Sequence, residues 1–101
     1  MTTKDFEAHV SDHVAHDLDL NYCVIALNEE AGEIAGWYKK AILRGNPTGK
    51  YTQDDLKGEL GDLLYYLTRA AQTQGWDLAE IMAFNKAKLD ERRAKNMKML
   101  A

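Results

Sequence analysis

The spacing of apolar residues along the chain predicts helices throughout. Phe6, Val10, Val14 and Leu18 recur at steps of four, which places them on one helical stripe. Further apolar stripes follow, and no strand-like alternation persists for five residues or more. The predicted helices cover about residues 4–19, 21–44, 52–74 and 78–96. The sequence therefore predicts an all-α, four-helix domain spanning residues 1–101.

Capping residues support these helix starts. Asn21 is the predicted start of the second helix, since its side chain can accept a hydrogen bond from the first turn. Thr52 and Asp55 form a variant of the capping box at the start of the third helix, with Asp in place of the usual Glu or Gln. Asp77 and Glu80 form a more regular capping box before the fourth helix.

The loop at residues 44–49 contains the only proline and separates the second and third helices. Together with Lys50, it superficially suggests a phosphate-binding P-loop. That motif needs four residues between its glycines and a Ser or Thr after the Lys. Here three residues separate Gly45 from Gly49, and Tyr51 follows the Lys. We therefore interpret the segment as a turn between helices.

Composition narrows the class of protein. The formal charge is −3, from 13 basic and 16 acidic residues, so no positive field predicts a nucleic-acid partner. The N-terminal segment 1–20 has no continuous apolar run, which predicts neither a signal peptide nor a membrane span. The single cysteine, Cys23, suits a reducing compartment, and we expect a cytoplasmic protein. An apolar fraction of 46% on four short helices favours a homo-oligomer.

Two short carboxylate pairs carry the candidate chemistry: Glu30-x-x-Glu33 and Glu59-x-x-Asp62. Residues three apart lie on one face of a helix, so each pair presents its two acids in the same direction. Four carboxylates aimed at one place repel each other unless cations lie between them. Hard divalent ions such as Mg²⁺ prefer oxygen ligands. The pairs therefore predict a magnesium site built from two helices.

Four glycines accompany these acids inside the predicted helices, where each is expected to cost about 1 kcal/mol relative to alanine. Close approach of the two helices, or of a ligand, would offset that cost. The glycines are Gly32, Gly36, Gly58 and Gly61.

The acids and their neighbours resemble a known family. Residues 27–34 (LNEEAGEI) and 58–67 (GELGDLLYYL) are similar to the two motifs of the MazG-like nucleoside triphosphate pyrophosphohydrolases, of the all-α NTP pyrophosphatase superfamily. The spacer between the motifs is within the family's range. Residues 75–78 (GWDL) and 85–92 (NKAKLDER) resemble two further family elements. Lys57 departs from the pattern, because relatives often carry an acid there.

The resemblance implies the fold of a MazG-like bundle, assembled as a dimer or a dimer-of-dimers tetramer, of which we favour the tetramer. It also implies magnesium-dependent hydrolysis of (deoxy)nucleoside triphosphates to nucleoside monophosphate and pyrophosphate, with Mn²⁺ as a possible substitute. Glu30, Glu33, Glu59 and Asp62 would bind the metal ions, and Glu30 or Glu33 would position the attacking water. The implied substrate contacts are Trp37 and Tyr66 for the nucleoside, Lys86, Lys88 and Arg92 for the phosphates, and Asn85 as a hydrogen-bonding contact.

Other interpretations stay open at this point. The nearest enzymatic alternative is phosphoribosyl-ATP pyrophosphohydrolase, which has a related fold. A non-catalytic helical interaction module is the alternative from another class. His9, His13 and His16 share one helical face, but no Glu follows His9 as in zinc metalloproteases, so we interpret them as a surface or interface stripe.

Overall fold

The computed structural model describes residues 1–13 and 18–100, with side chains up to residue 97. Within these residues the chain contains no strand, which confirms the all-α prediction. Four α-helices follow one another, and a π-helical turn at Lys39–Leu43 continues the second helix. The α-helices are α1 (Thr3–His13), α2 (Leu20–Tyr38), α3 (Gln53–Thr73) and α4 (Leu78–Leu100).

The first predicted helix is too long. Residues 18 and 19 are not helical, and the predicted stripe residue Val14 and the third histidine, His16, lie outside the described residues. Helix α2 starts one residue before the predicted Asn21, because Asp19 is its N-cap and accepts a hydrogen bond from the Tyr22 N–H at 2.9 Å. A carboxylate there satisfies a free N–H and also complements the positive end of the helix dipole.

The other helix ends follow their capping residues. Thr52 and Asp55 form a complete capping box, with both reciprocal hydrogen bonds present, at 2.8 and 3.2 Å. Gly75, with φ of 76°, takes the left-handed conformation that turns the chain after α3. Helix α4 extends to Leu100, past the predicted end near residue 96.

Helices α2 and α3 form an antiparallel hairpin. The Trp37 indole N–H donates to the Thr52 carbonyl at 2.8 Å, which joins the end of α2 to the start of α3. At the other end of the hairpin, the rings of Tyr22 and Tyr66 lie 6.3 Å apart. Because both ends are paired, residue 30 in the middle of α2 is brought beside the first half of α3.

The core is small and runs along this hairpin and α1. Its buried residues are Val10, Cys23, Ala26, Trp37, Thr68, Ala71 and Leu78. By contrast, several leucines of α3 stay exposed, with Leu60 at 48% and Leu64 at 43%. Helix α4 leaves Phe84 77% exposed. The protomer therefore leaves much of its apolar surface uncovered.

The shape of the protomer agrees with this open packing. Its radius of gyration is 17.4 Å, whereas a compact domain of this length has a value of about 13 Å. Among the described helices, none has the length and apolar character needed to cross a membrane.

Candidate metal and nucleotide site

Three of the four predicted metal ligands converge between α2 and α3. Glu30, Glu59 and Asp62 each offer one carboxylate oxygen, and these three oxygens lie within 4.8 Å of one another. Oxygens that share one Mg²⁺ at about 2.1 Å lie no more than about 4 Å apart, so a small movement of the side chains would close the group around an ion. Glu30 and Glu59 are half-buried, whereas Asp62 is exposed.

The electrostatics of Glu30 reflect this crowding. Partial burial raises the pKa of its carboxyl, and the negative charges of Asp62, Glu59, Glu33 and Glu29 raise it further, in that order. Both effects disfavour the ionised form in the metal-free protein. A bound cation would offset the repulsion among these acids.

Glu33 is not in this close group of oxygens, but it lines a groove that Glu59 and Asp62 also line. The groove has a volume of about 500 Å³ and is open to solvent along one side. Besides Glu33 it is lined by Gly36, Trp37, Lys40, Lys50, Tyr51, Asp54, Asp55, Gly58, Glu59 and Asp62. The structure thus brings the fourth acid to the site without placing it in the close group of oxygens.

The two residues implied for the nucleoside occupy different surroundings. Trp37 is 8% exposed and forms part of the groove wall, while its indole N–H is already bonded to the Thr52 carbonyl. Tyr66 is half-buried and packs beside Tyr22. Partial burial raises the pKa of the Tyr66 hydroxyl, and the nearby charges of Tyr22 and Glu30 raise it further. Tyr66 therefore lies next to the cluster of Glu30, Glu59 and Asp62, on the side away from the loop that joins α2 and α3.

The implied contacts of α4 with the substrate, including its phosphates, do not line the acidic groove. Asn85 and Lys88 lie beside Trp76 and Phe84, on another face of the molecule. Lys86 forms an exposed ion pair with Asp90 at 2.6 Å. Arg92 is also exposed. Their contact with phosphate stays a prediction.

The groove contains cationic residues that the sequence analysis did not select. Lys40 and Lys50 both line it, and the Lys40 ammonium lies 5.3 Å from the centre of the Tyr51 ring. Lys40 could have been found, since residues 33, 37 and 40 fall on one helical face. Lys50 lies in the loop, where no periodicity applies.

The glycines beside the acids do not mark a close approach of the helices. A Cβ atom added at Gly32, Gly36, Gly58 or Gly61 would meet nothing within 4 Å. Helix contact within the protomer therefore does not explain their presence, and that part of the expectation is wrong. Two of them, Gly36 and Gly58, line the groove, where they keep its walls free of side chains.

The comparisons with known proteins agree with this geometry. The family described as MazG nucleotide pyrophosphohydrolase domain matches residues 21–97, a range that includes all four acids and most of α4. The chain belongs to the MazG family. This confirms the resemblance found in the motifs, and it supports a nucleotide pyrophosphohydrolase activity in general terms.

One relative of this MazG domain is the "Gene 37 protein" of Mycobacterium phage L5. It is 40% identical over 77 residues, which cover 73% of this chain and 66% of the phage protein. Its name states no activity. No solved structure matches the chain significantly.

Proposed function

We propose that the chain hydrolyses nucleoside or deoxynucleoside triphosphates between the α- and β-phosphates, giving a nucleoside monophosphate and pyrophosphate, with Mg²⁺ as cofactor. The observation that carries the proposal is the convergence of Glu30, Glu59 and Asp62 within a MazG domain. A helical module that served only for protein contacts would have no reason to hold three repelling carboxylates together at the edge of its core.

The donor set fits a hard divalent ion. All three close ligands are carboxylates, with no His or Cys among them, and such sites favour Mg²⁺ or Mn²⁺ over softer metals. An ion in this site would supply positive charge against the phosphates and make a water bound to it more acidic. Glu30, Glu59 and Asp62 would hold the ion.

Glu33 is the acid best suited to handle the attacking water. It lies in the groove but outside the close group of oxygens, so its carboxylate stays available when the other three hold metal. In this role a Glu33 oxygen accepts a proton from the water whose oxygen attacks the α-phosphorus. The bond from that phosphorus to the bridging oxygen breaks, and pyrophosphate leaves.

We also propose that the protein works as a homo-oligomer, with the tetramer favoured over the dimer. Support comes from the uncovered apolar residues of α3 and α4, including Leu60, Leu64 and Phe84. In such an assembly Lys88 and Arg92 of α4 would reach the groove of a neighbouring protomer. Light scattering coupled to size-exclusion chromatography would measure the molar mass directly.

The cytoplasm is the proposed compartment, since triphosphates and magnesium are available there and a lone cysteine stays reduced.

The activity is tested with a panel of the eight common nucleotides, by measuring monophosphate and pyrophosphate with and without Mg²⁺. At least one nucleotide should give both products in equal amounts. Glu59→Gln and Asp62→Asn should abolish turnover while the circular dichroism spectrum is retained. Glu29→Gln is the matched control, because Glu29 is exposed, lies beside Glu30 in sequence and does not line the groove. Undiminished turnover in both site variants would refute the assignment.

A further inference from the structure

The two lysines of the groove lie at one end of it, next to the loop that joins α2 and α3. Lys40 is carried by the π-helical turn, and Lys50 by the loop segment just before α3. Both line the same groove as Glu59 and Asp62. The groove therefore contains two ammonium groups next to the loop as well as carboxylates.

The backbone around these lysines is held in place. The Asn46 side chain donates to the Tyr51 carbonyl at 2.9 Å and accepts from the Tyr51 N–H at 3.2 Å, which closes the loop. The bond from Trp37 to the Thr52 carbonyl fixes the same loop end against α2. The Tyr51 ring supports the Lys40 ammonium through a cation–π contact at 5.3 Å. These contacts therefore hold the segment that carries the two lysines in one conformation.

Neither lysine is neutralised by an ion pair in the described part of the chain. The two ion pairs found there, Lys86–Asp90 and Lys95–Glu91, both lie on α4. Carboxylates of Asp54 and Asp55 line the same groove without pairing to either lysine within 4.0 Å. Two ammonium groups are therefore available to an anionic ligand.

On the side of the Glu30, Glu59 and Asp62 cluster away from the loop, two nearby side chains are aromatic. Because the hairpin is antiparallel, Tyr22 and Tyr66 lie on the far side of Glu30 from the loop. The centres of their rings are 6.3 Å apart, and Tyr22 is 49% exposed as a residue. Aromatic faces suit a nucleoside, whereas ammonium groups suit phosphate. The two ends of the site thus differ as the two ends of a nucleoside triphosphate differ.

We propose that Lys40 and Lys50 bind the terminal phosphates of the substrate, and so fix its direction, with the β- and γ-phosphates towards the loop and the nucleoside towards the tyrosines. In this direction Trp37, which is bonded to the loop end at Thr52, forms the groove wall beside the phosphates and is not the nucleoside contact that the resemblance implied. The inference rests on the proposed function, since it assigns substrate contacts for the same site. On hydrolysis the negative charge of the departing pyrophosphate develops next to the lysines, which stabilise it. The lysines then form the binding site for the pyrophosphate product.

The test compares Lys40→Gln and Lys50→Gln with Lys39→Gln. Lys39 is the matched control, because it precedes Lys40 on the same turn and is exposed but does not line the groove. The dissociation constant of magnesium pyrophosphate is measured by calorimetry, and that of a nucleoside monophosphate in parallel. Each groove variant should weaken pyrophosphate binding about tenfold or more, as for loss of a charged hydrogen bond, and leave monophosphate binding within about twofold.

Several results would overturn the inference. These are no pyrophosphate binding by the wild type, unchanged binding in both groove variants, an equal loss in Lys39→Gln, or an equal loss of monophosphate affinity. The binding measurement needs no turnover. A failure of the proposed function can therefore be distinguished from a failure of the role proposed for the two lysines. A wild type that binds pyrophosphate through Lys40 and Lys50 but hydrolyses no nucleotide would refute the proposed function alone. Active enzyme with unchanged pyrophosphate affinity in the variants would refute this inference alone.

Discussion

Replacing Glu30 by glutamine should stabilise the metal-free protein at neutral pH. Its carboxylate oxygen lies within 4.8 Å of oxygens of Glu59 and Asp62. Two unit charges at that separation repel by about 0.9 kcal/mol in water, and physiological salt reduces this to roughly half. Removing the repulsion from both neighbours should raise the free energy of unfolding by roughly 1 kcal/mol. For a domain of this size, that corresponds to a rise in Tm of about 4–8 °C.

The pH dependence of this gain has a definite sign. The pKa of Glu30 is raised in the folded protein, chiefly by partial burial and then by the neighbouring acids. The folded protein therefore binds more protons than the unfolded chain in the window between the ordinary and the raised pKa. Its free energy of unfolding falls as pH rises through that window. Below the ordinary Glu pKa of about 4.3 the penalty is absent, so the variant and the wild type should converge.

The assay is thermal unfolding followed by circular dichroism, at fixed protein concentration, with EDTA and then with magnesium. In EDTA at pH 7, Glu30→Gln should unfold at a higher temperature than wild type, and magnesium should stabilise the wild type more than the variant. Glu29→Gln removes one charge next to the site without entering the close group of oxygens, so its Tm in EDTA should change less. Equal shifts in the two variants, or a gain that persists at low pH, would refute the reasoning.

Two further predictions concern the hairpin itself. Trp37→Phe removes the indole N–H that bonds the Thr52 carbonyl, so its Tm should fall by about 4–8 °C, for a loss of about 1 kcal/mol; an unchanged Tm would show that this bond contributes nothing. Cys23 is fully buried, and burial raises the pKa of its thiol, so Ellman's reagent should label it slowly in the native protein and rapidly in urea. Immediate labelling without denaturant would contradict the burial.

The sequence was most informative where local rules determine structure. The capping box at Thr52 depends only on neighbouring residues, and it was predicted. The convergence of Glu30 with Glu59 and Asp62 was also predicted, because helical spacing fixes which side chains share a face. The family membership of the chain followed from those same motifs.

The sequence did not reveal the features that depend on choices between competing residues or on contacts between distant parts of the chain. Asp19 rather than Asn21 is the N-cap, because either side chain could accept such a bond and the charged one also complements the dipole. The exposure of Leu60 and Leu64 depends on which surfaces one protomer can cover. Lys50 lines the groove because of the conformation of the loop. Residue spacing does not predict the conformation of a loop.

The π-helical turn at Lys39–Leu43 has a consequence for the evolution of this hairpin. A π-turn accommodates one residue more than an α-helical turn, and such turns are found mostly as single insertions near functional sites. Deleting one residue here would restore regular α-helix, and the side chains of the turn itself, among them Lys40, would take new positions along the groove. Length variation among relatives should therefore be tolerated in the loop beyond the turn, whereas the turn itself should keep its length.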